Sequence, residues 1–229
     1  MEFISSDNVE KIISMLKNEV TKYIEKSGME IQKSNTNNSY DIDRTIKKFL
    51  TKKYPFYLFL HGKSGKYNIN PTIPTWVMSP IESTLKSAHK FKHKAISLAL
   101  VYENDPLLGI VYIPSTKELY YAQKDKGAFL NGVPIKVSSE SPDRLPNTIL
   151  DTNPTSSAAI HICSIASGKS EMYLRDKIRP WDIAAAKCIL EEAGGRITTT
   201  RNDIITYYHK TDILATNGLL HTTLLHLMV

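Results

Sequence analysis

Apolar residues near the start of the chain recur at helical spacing. Val9, Ile12, Ile13, Leu16, Val20, Tyr23 and Ile24 fall on one face, so residues 7–26 read as an amphipathic helix, with Ser5, Ser6 and Asp7 offering an N-cap. Residues 27–40, with Gly28 and a polar run, read as a turn or irregular strand. A second helix is predicted over 43–53, with Ile46, Phe49 and Leu50 inward. Pro55 stops it, because the residue before a proline avoids the α conformation. Beyond Pro55 the period changes. Short apolar runs at 56–60, 75–78, 95–102, 107–113 and 118–123 read as strands, with 61–74 a polar loop. Glu103-Asn104-Asp105-Pro106 is a hairpin signal, and residues 127–132 form a turn into a strand at 135–137.

Residues 138–147 are polar and proline-bearing, the best internal boundary. After it helix and strand alternate: helix 156–166, strand 171–174, helix 183–193 closed by Gly194-Gly195, strands at 196–199 and 213–215, and a last helix at 219–228. The expected fold class is α/β. An α+β half over 1–140 and an α/β half over 141–229 make one compact unit.

Composition narrows the class of protein. The chain has 229 residues, 41% hydrophobic and 23% charged, which suits an ordinary globular fold and excludes a coiled coil, a collagen or wholesale disorder. Two cysteines, Cys163 and Cys188, cannot build a disulfide framework or a four-cysteine zinc site and read as small buried hydrophobes. The start of the chain has no leader pattern, and no apolar run is long enough for a membrane span, so a cytoplasmic location is expected. The formal charge is +6, but only six of the 29 cations are Arg. Specific phosphate or base recognition leans on the planar Arg fork, so a Lys-rich surplus reads first as solvated surface and nucleic acid is disfavoured as partner.

Residues 76–84 read Trp-Val-Met-Ser-Pro-Ile-Glu-Ser-Thr, and 180–185 read Pro-Trp-Asp-Ile-Ala-Ala. Together they resemble the inositol monophosphatase family, which includes bisphosphate nucleotidases and fructose-bisphosphatase-like members. Its hallmark is Trp-x-x-Asp-Pro-x-Asp-Gly-Thr after a strand, with a later Trp-Asp opening a helix. Gly-Ala-Phe-Leu-Asn-Gly at 127–132, Ser157-Ala158-Ala159, Glu192-Ala193-Gly194-Gly195 and Ala215-Thr216-Asn217 are similar to further family segments in the same order. The resemblance spans nearly the whole chain. It implies a layered αβαβα sandwich of the sugar-phosphatase type, a homodimer, and Mg²⁺-dependent hydrolysis of small phosphate monoesters.

The resemblance also implies a ligand set, and the chain departs from it. Two Mg²⁺ would clamp the phosphate and activate a water. The family draws its carboxylates from a Gly-Glu-Glu segment, both hallmark Asp, the Trp-Asp aspartate and an early Asp. Here Ser79 stands for the first hallmark Asp, Glu82 for the second and Ser83 for the hallmark Gly. Gly62 and Lys63 stand where the Gly-Glu-Glu acids align, and Ser39 near the early Asp. Thr84 and Asp182 are intact, and the Ile81 carbonyl remains a backbone ligand. The residues expected to hold metal are therefore Ile81, Glu82 and Asp182, with Glu82 and Thr84 as the catalytic candidates. Ser83, Thr84, Lys63, Ser157 and Ala158 are expected to hold the phosphoryl ligand. Glu82 extends about 1.5 Å beyond an Asp, against a tolerance of about 0.2 Å for metal ligands. A Lys63 ammonium repels a unit charge 4 Å away by about 4 kcal/mol at an effective dielectric near 20. Loss of the general base costs about 10²–10⁴ in rate.

Three readings follow. The first is a family member with weak or lost catalysis that still binds a phosphorylated small molecule. The second is an active Mg²⁺ phosphatase with a rebuilt site, using Glu82, Asp182 and Asp41 or Asp43. The third is a protein or RNA interaction module using the basic strip Lys86, His89, Lys90, Lys92, His93 and Lys94. Trp76 and Trp181 read as core, His161 as a surface or satisfied core residue, and the Tyr120-Tyr121 and Tyr207-Tyr208 pairs as strand residues.

Overall fold

The computed structural model describes residues 4–28, 39–61, 70–79, 95–142, 157–207 and 209–228, with backbone alone for 20–28, 39–43 and 61. Contacts group the chain into Met1–Tyr57 and Leu58–Val229. The first unit is a helix pair, α1 (Ser6–Gly28) and α2 (Ser39–Lys53). Ile12 and Leu16 of α1 and Ile46 and Leu50 of α2 are fully buried, the stripe that the helical spacing predicts. Lys53 Nζ donates to Asn8 Oδ1 at 2.6 Å and ties the end of α2 to the start of α1. The predicted turn or irregular strand at 27–40 lies mostly outside the described residues.

The second unit begins with a seven-stranded sheet in sequential order: β1 (Leu58–His61), β2 (Thr75–Ser79), β3 (Ile96–Tyr102), β4 (Asp105–Ile113), β5 (Glu118–Gln123), β6 (Ala128–Leu130) and β7 (Val133–Ile135). Among the described strands, only β1 and β2 pair in parallel. Phe56, placed in the first strand by its apolar character, is 88% exposed and precedes β1. Glu103 and Asn104 take φ of 51° and 63°, a tight turn that matches strand twist, so β4 starts at Asp105. Pro106 sits inside β4 opposite a register shift, where its missing N–H breaks no ladder bond. The predicted 127–132 turn is itself part of the sheet. β6 lies within it, and Asn131 and Gly132, both at positive φ, turn the chain into β7.

The remainder comprises α3 (Ala158–Ala166), β8 (Met172–Ile178), α4 (Pro180–Glu192), β9 (Arg196–Thr199), β10 (Thr211–Thr216) and α5 (His221–Leu227). The strands form an antiparallel sheet, β8-β10-β9. β8 runs four residues past its predicted end at 174. α4 starts three residues before its predicted 183, because Pro180 occupies its first turn, where no N–H is needed. Tyr207 is buried in a loop rather than a strand, and Tyr208 lies outside the described residues. Cys163 and Cys188 are buried free thiols, and burial pushes the Cys188 thiol up.

Helix α4 has no solvent-facing stripe. Its residues from Pro180 to Leu190 are buried except Asp182, which is half-buried. Its side chains share one core cluster with Val77, Ala99, Val111, Tyr120 and Ala122 of the large sheet and with Ile197, Ile213 and Ala215 of the small one. Within Leu58–Val229 the layers therefore run large sheet, α3 with α4, small sheet, then α5, whose Leu220 and Leu224 pack on Leu214. This is the mixed α/β layered sandwich expected. Polar locks join the layers. Glu192 accepts from the backbone N–H of Asp125 and Gly127 at 2.9 and 2.8 Å. Asn217 Nδ2 donates to the Glu140 carbonyl at 2.8 Å. His221, buried between Thr198 and Thr216 at 2.9 and 3.0 Å, is held neutral, with its pKa pushed down to about 4 by desolvation and by Arg196.

The tightest contact between layers is at Gly109 of β4, where an added Cβ would lie 2.2 Å from the Ala185 carbonyl oxygen and 3.0 Å from Cys188 Cβ. Gly109→Ala forces α4 off the sheet. It is expected to cost about 2–3 kcal/mol and to lower Tm by at least about 5 °C, checked by thermal denaturation followed by circular dichroism. An unchanged Tm would show that the contact does not set the spacing.

Candidate functional site

The end of β2, the start of β3 and the first turn of α4 converge. Ser79 and Ser97 are register partners on β2 and β3. Ser97 Oγ donates to the Trp181 carbonyl at 3.3 Å, and Ser79 Oγ donates to Asp182 Oδ1 at 3.4 Å. The apolar strands thus carry two small polar residues where they meet the first turn of α4. Trp76 and Trp181, read as core, are buried.

Asp182 lies in the first turn of α4, where the helix dipole favours a negative charge. Burial nonetheless dominates and pushes its pKa up to about 6. Arg179, the Ser79 hydroxyl, the Arg179 backbone and Lys210 pull the other way. Arg179 also lies over the Trp181 ring, 6.0 Å from its centroid. Arg179 and Lys210 are the cations that favour its ionised form.

At the same end of the layer, Ser157 caps α3 with φ −66° and ψ 135°. It is 5% exposed, and its Oγ has no hydrogen-bond partner among the described residues. Ala158, which begins α3, is buried. The segment after α3 is only five residues long and turns the chain back into β8. β8 in turn ends two residues before α4 starts. Helices α3 and α4 consequently begin at the same end of the sandwich.

Of the residues singled out in the sequence, Ser79 and Asp182 are brought into contact, and Ser157 and Ala158 stand at the start of α3. Gly62, Lys63, Ile81, Glu82, Ser83, Thr84 and the basic strip at 86–94 lie outside the described residues. Ser39 opens α2, and its side chain and those of Asp41 and Asp43 lie outside them too. Among the described residues no group of three His, Cys, Asp or Glu side chains could hold a metal. Ser79 contributes a neutral oxygen beside a single carboxylate. The other residues that the resemblance assigns to a two-Mg²⁺ centre, which takes several carboxylates, lie outside the described residues. Sequence reasoning missed Arg175, Arg179 and Lys210. The signal was present in Tyr173-Leu174-Arg175, an alternation that continues β8 past its predicted end.

No helix among the described residues is long and apolar enough to cross a membrane. A family model described as the inositol monophosphatase family matches residues 2–229. The inositol monophosphatase of Dictyostelium discoideum is 32% identical over 186 residues, covering 67% of each chain. The crystal structure of inositol monophosphatase-II from Staphylococcus aureus MSSA476 is similar with a TM-score of 0.83 at 24% identity, covering 95% of this chain and 90% of that one. A dual specific IMPase/NADP phosphatase bound with D-inositol-1-phosphate gives a TM-score of 0.84 at 23% identity, covering 97% and 95%.

The raised Asp182 pKa has a measurable consequence. Between about pH 4 and 6 the native carboxyl binds more protons than the unfolded one, whose value is 3.8, so stability falls as pH rises through this window. Asp182→Asn removes the buried charge. It is expected to be more stable than the parent by about 3 kcal/mol above pH 7 and level with it below pH 4. Urea denaturation at pH 4, 6 and 8 checks this, and a variant less stable than the parent at pH 8 would contradict it.

Proposed function

The chain belongs to the inositol monophosphatase family, and on that premise we propose that it binds a small phosphorylated ligand and hydrolyses it slowly or not at all. The observation that carries this reading is the Ser79–Asp182 contact of 3.4 Å. At the position where the resemblance expects a second carboxylate, a hydroxyl donates to the half-buried Asp182, the one carboxylate placed there among the described residues. A hydroxyl oxygen carries no charge to offset a divalent ion. The neighbouring Arg179 and Lys210 add repulsion. Mg²⁺, when bound in such enzymes, polarises phosphorus and acidifies a water. The described residues here are suited instead to holding the anion itself. The first-turn amides of α3 and the Ser157 hydroxyl, which has no partner among the described residues, offer donors. Arg179 and Lys210 offer positive charge. A similar solved protein is bound with D-inositol-1-phosphate, which supports the ligand class.

Two measurements test the reading. With inositol 1-phosphate and 5 mM MgCl₂, phosphate release is expected at least about 10²-fold below an active family member assayed alongside. Titration calorimetry is expected to detect binding of the same compound. Turnover comparable to that relative, abolished by Asp182→Ala, would overturn the proposal in favour of a rebuilt active site. Ser79→Asp returns a second carboxylate beside Asp182, at a repulsion of about 4 kcal/mol without a cation. Its Tm is expected to drop in EDTA and recover in millimolar Mg²⁺, whereas the parent moves by less than about 1 °C.

A further inference from the structure

Strand β8 breaks its register once, just before it hands the chain to α4. Arg175 pairs with Ile213 of β10 on the inner face of the small sheet, and Ile178 pairs with Thr211. Two residues of β8, Asp176 and Lys177, therefore stand against Asp212 alone, which makes a β-bulge. The bulge decides which side chain enters the core. Register partners share a face of a sheet, and successive residues alternate between faces. In an unbroken ladder Lys177 would follow Arg175 onto the inner face and meet Thr211. With the extra residue, Ile178 takes that place and is buried in the core cluster, while Lys177 is exposed.

The bulge is held in an uncommon conformation. Lys177 has φ 49°, in the left-handed region where Cβ crowds the following carbonyl oxygen. Glycine is the residue that takes such a position without strain. The bond that offsets the strain comes from the neighbouring strand. Lys177 N–H donates to Asp212 Oδ1 at 2.7 Å, a charge-assisted contact. Asp212 is itself tied down, since its carbonyl accepts from the Thr200 N–H at 3.3 Å.

From Lys177 the chain reaches α4 after Ile178 and Arg179, and neither is free to turn. Ile178 is anchored in the core. Arg179, with φ −88° and ψ 145°, has the extended backbone that a following proline imposes. Its carbonyl accepts from the Asp182 N–H at 3.0 Å. Its guanidinium lies over the Trp181 ring and acts on the Asp182 carboxylate. The direction in which Arg179 projects is thus set at Lys177. The same register shift places Lys210, one residue before Thr211, at the level of Arg179.

We propose that Asp212 is a positioning residue for ligand binding: by accepting the Lys177 N–H it holds the left-handed bulge, and the bulge aims Arg179 at the phosphoryl ligand. This deepens the phosphoryl-binding reading above and rests on it. Asp212 acts through Arg179 and not by touching the ligand.

Asp212→Ala removes the acceptor, and Asp212→Asn keeps an acceptor oxygen at the same place. Affinity of the full chain for inositol 1-phosphate, by titration calorimetry at 0.15 M salt, is expected to fall about fivefold in Asp212→Ala and to stay within about twofold of the parent in Asp212→Asn. In a Lys177→Gly background, where the left-handed backbone carries no strain, Asp212→Ala is expected to cost less than about twofold. In an Arg179→Gln background it is expected to add nothing, because the side chain it acts through is gone. A merely structural Asp212 predicts the same loss in every background, and that result, or no loss in the parent, would overturn the proposal. Asp212→Glu keeps the charge and displaces the acceptor. It is expected to lose affinity as Asp212→Ala does, and it serves if circular dichroism shows Asp212→Ala unfolded. A readout without ligand completes the test. The Arg179 side-chain proton resonances, displaced by the Trp181 ring, are expected to move toward their unstacked positions in Asp212→Ala and to stay in Asp212→Asn. Unmoved resonances with binding intact would remove this proposal alone. Failure of the parent to bind inositol 1-phosphate would remove the phosphoryl-binding reading and this proposal with it.

Discussion

The carbonyl of Ala185 lies where a side chain on Gly109 would begin, and the architecture of Leu58–Val229 depends on that approach. With no Cβ in the way, α4 settles onto the large sheet closely enough for Ala184, Ala185 and Cys188 to share its core. The opposite flank of the same helix then meets the small sheet. A second close approach, at Gly195, lets the chain leave α4 directly under Leu190 and beside the Thr216 carbonyl. The helix is thus located by backbone shape on both sides. The first turn that carries Trp181 and Asp182 is fixed against β2 and β3 through Ser97 and Ser79. Glu192 does the same at the far end, holding the 125–127 turn.

Electrostatics at the fixed end are set by burial and by neighbouring cations. Burial raises the Asp182 pKa toward neutrality, and the groups that offset it are two cations, a hydroxyl and a backbone bond. Arg175 adds another positive charge on the inner face of the small sheet. The +6 surplus of the chain is therefore not only solvated lysine. Arg179 and Lys210 both act on the Asp182 carboxylate.

Much of this was legible in the residues. Long periodic helices and apolar strands were placed within a few positions, because burial of one face dictates their spacing. The shortest strands, β6 and β7, were hidden inside a Gly-bearing turn motif, since three residues carry no period. The start of α4 was read late because Pro180 looks like a break, although the first turn is where proline is harmless. Reading β8 as ending at Leu174 had the largest effect. It left Arg175 outside any strand and so without a face. Ser79 and Asp182 were legible through motif order, but their contact was not, because it joins residues far apart in the chain. That the Ser157 hydroxyl has no partner among the described residues is likewise not written in the sequence.

The burial of α4 has a consequence for how the molecule opens. Most helices shed their outer amides to solvent in small fluctuations. From Pro180 to Leu190 this one has a single half-buried residue, Asp182, and its backbone is covered by both sheets. Amide hydrogens there exchange with deuterium only when the layers part, so their protection reports the free energy of global unfolding rather than of local fraying. The carboxylate on its first turn is carried by the most persistent segment of the second unit. Its position relative to β2 is consequently as long-lived as the fold itself.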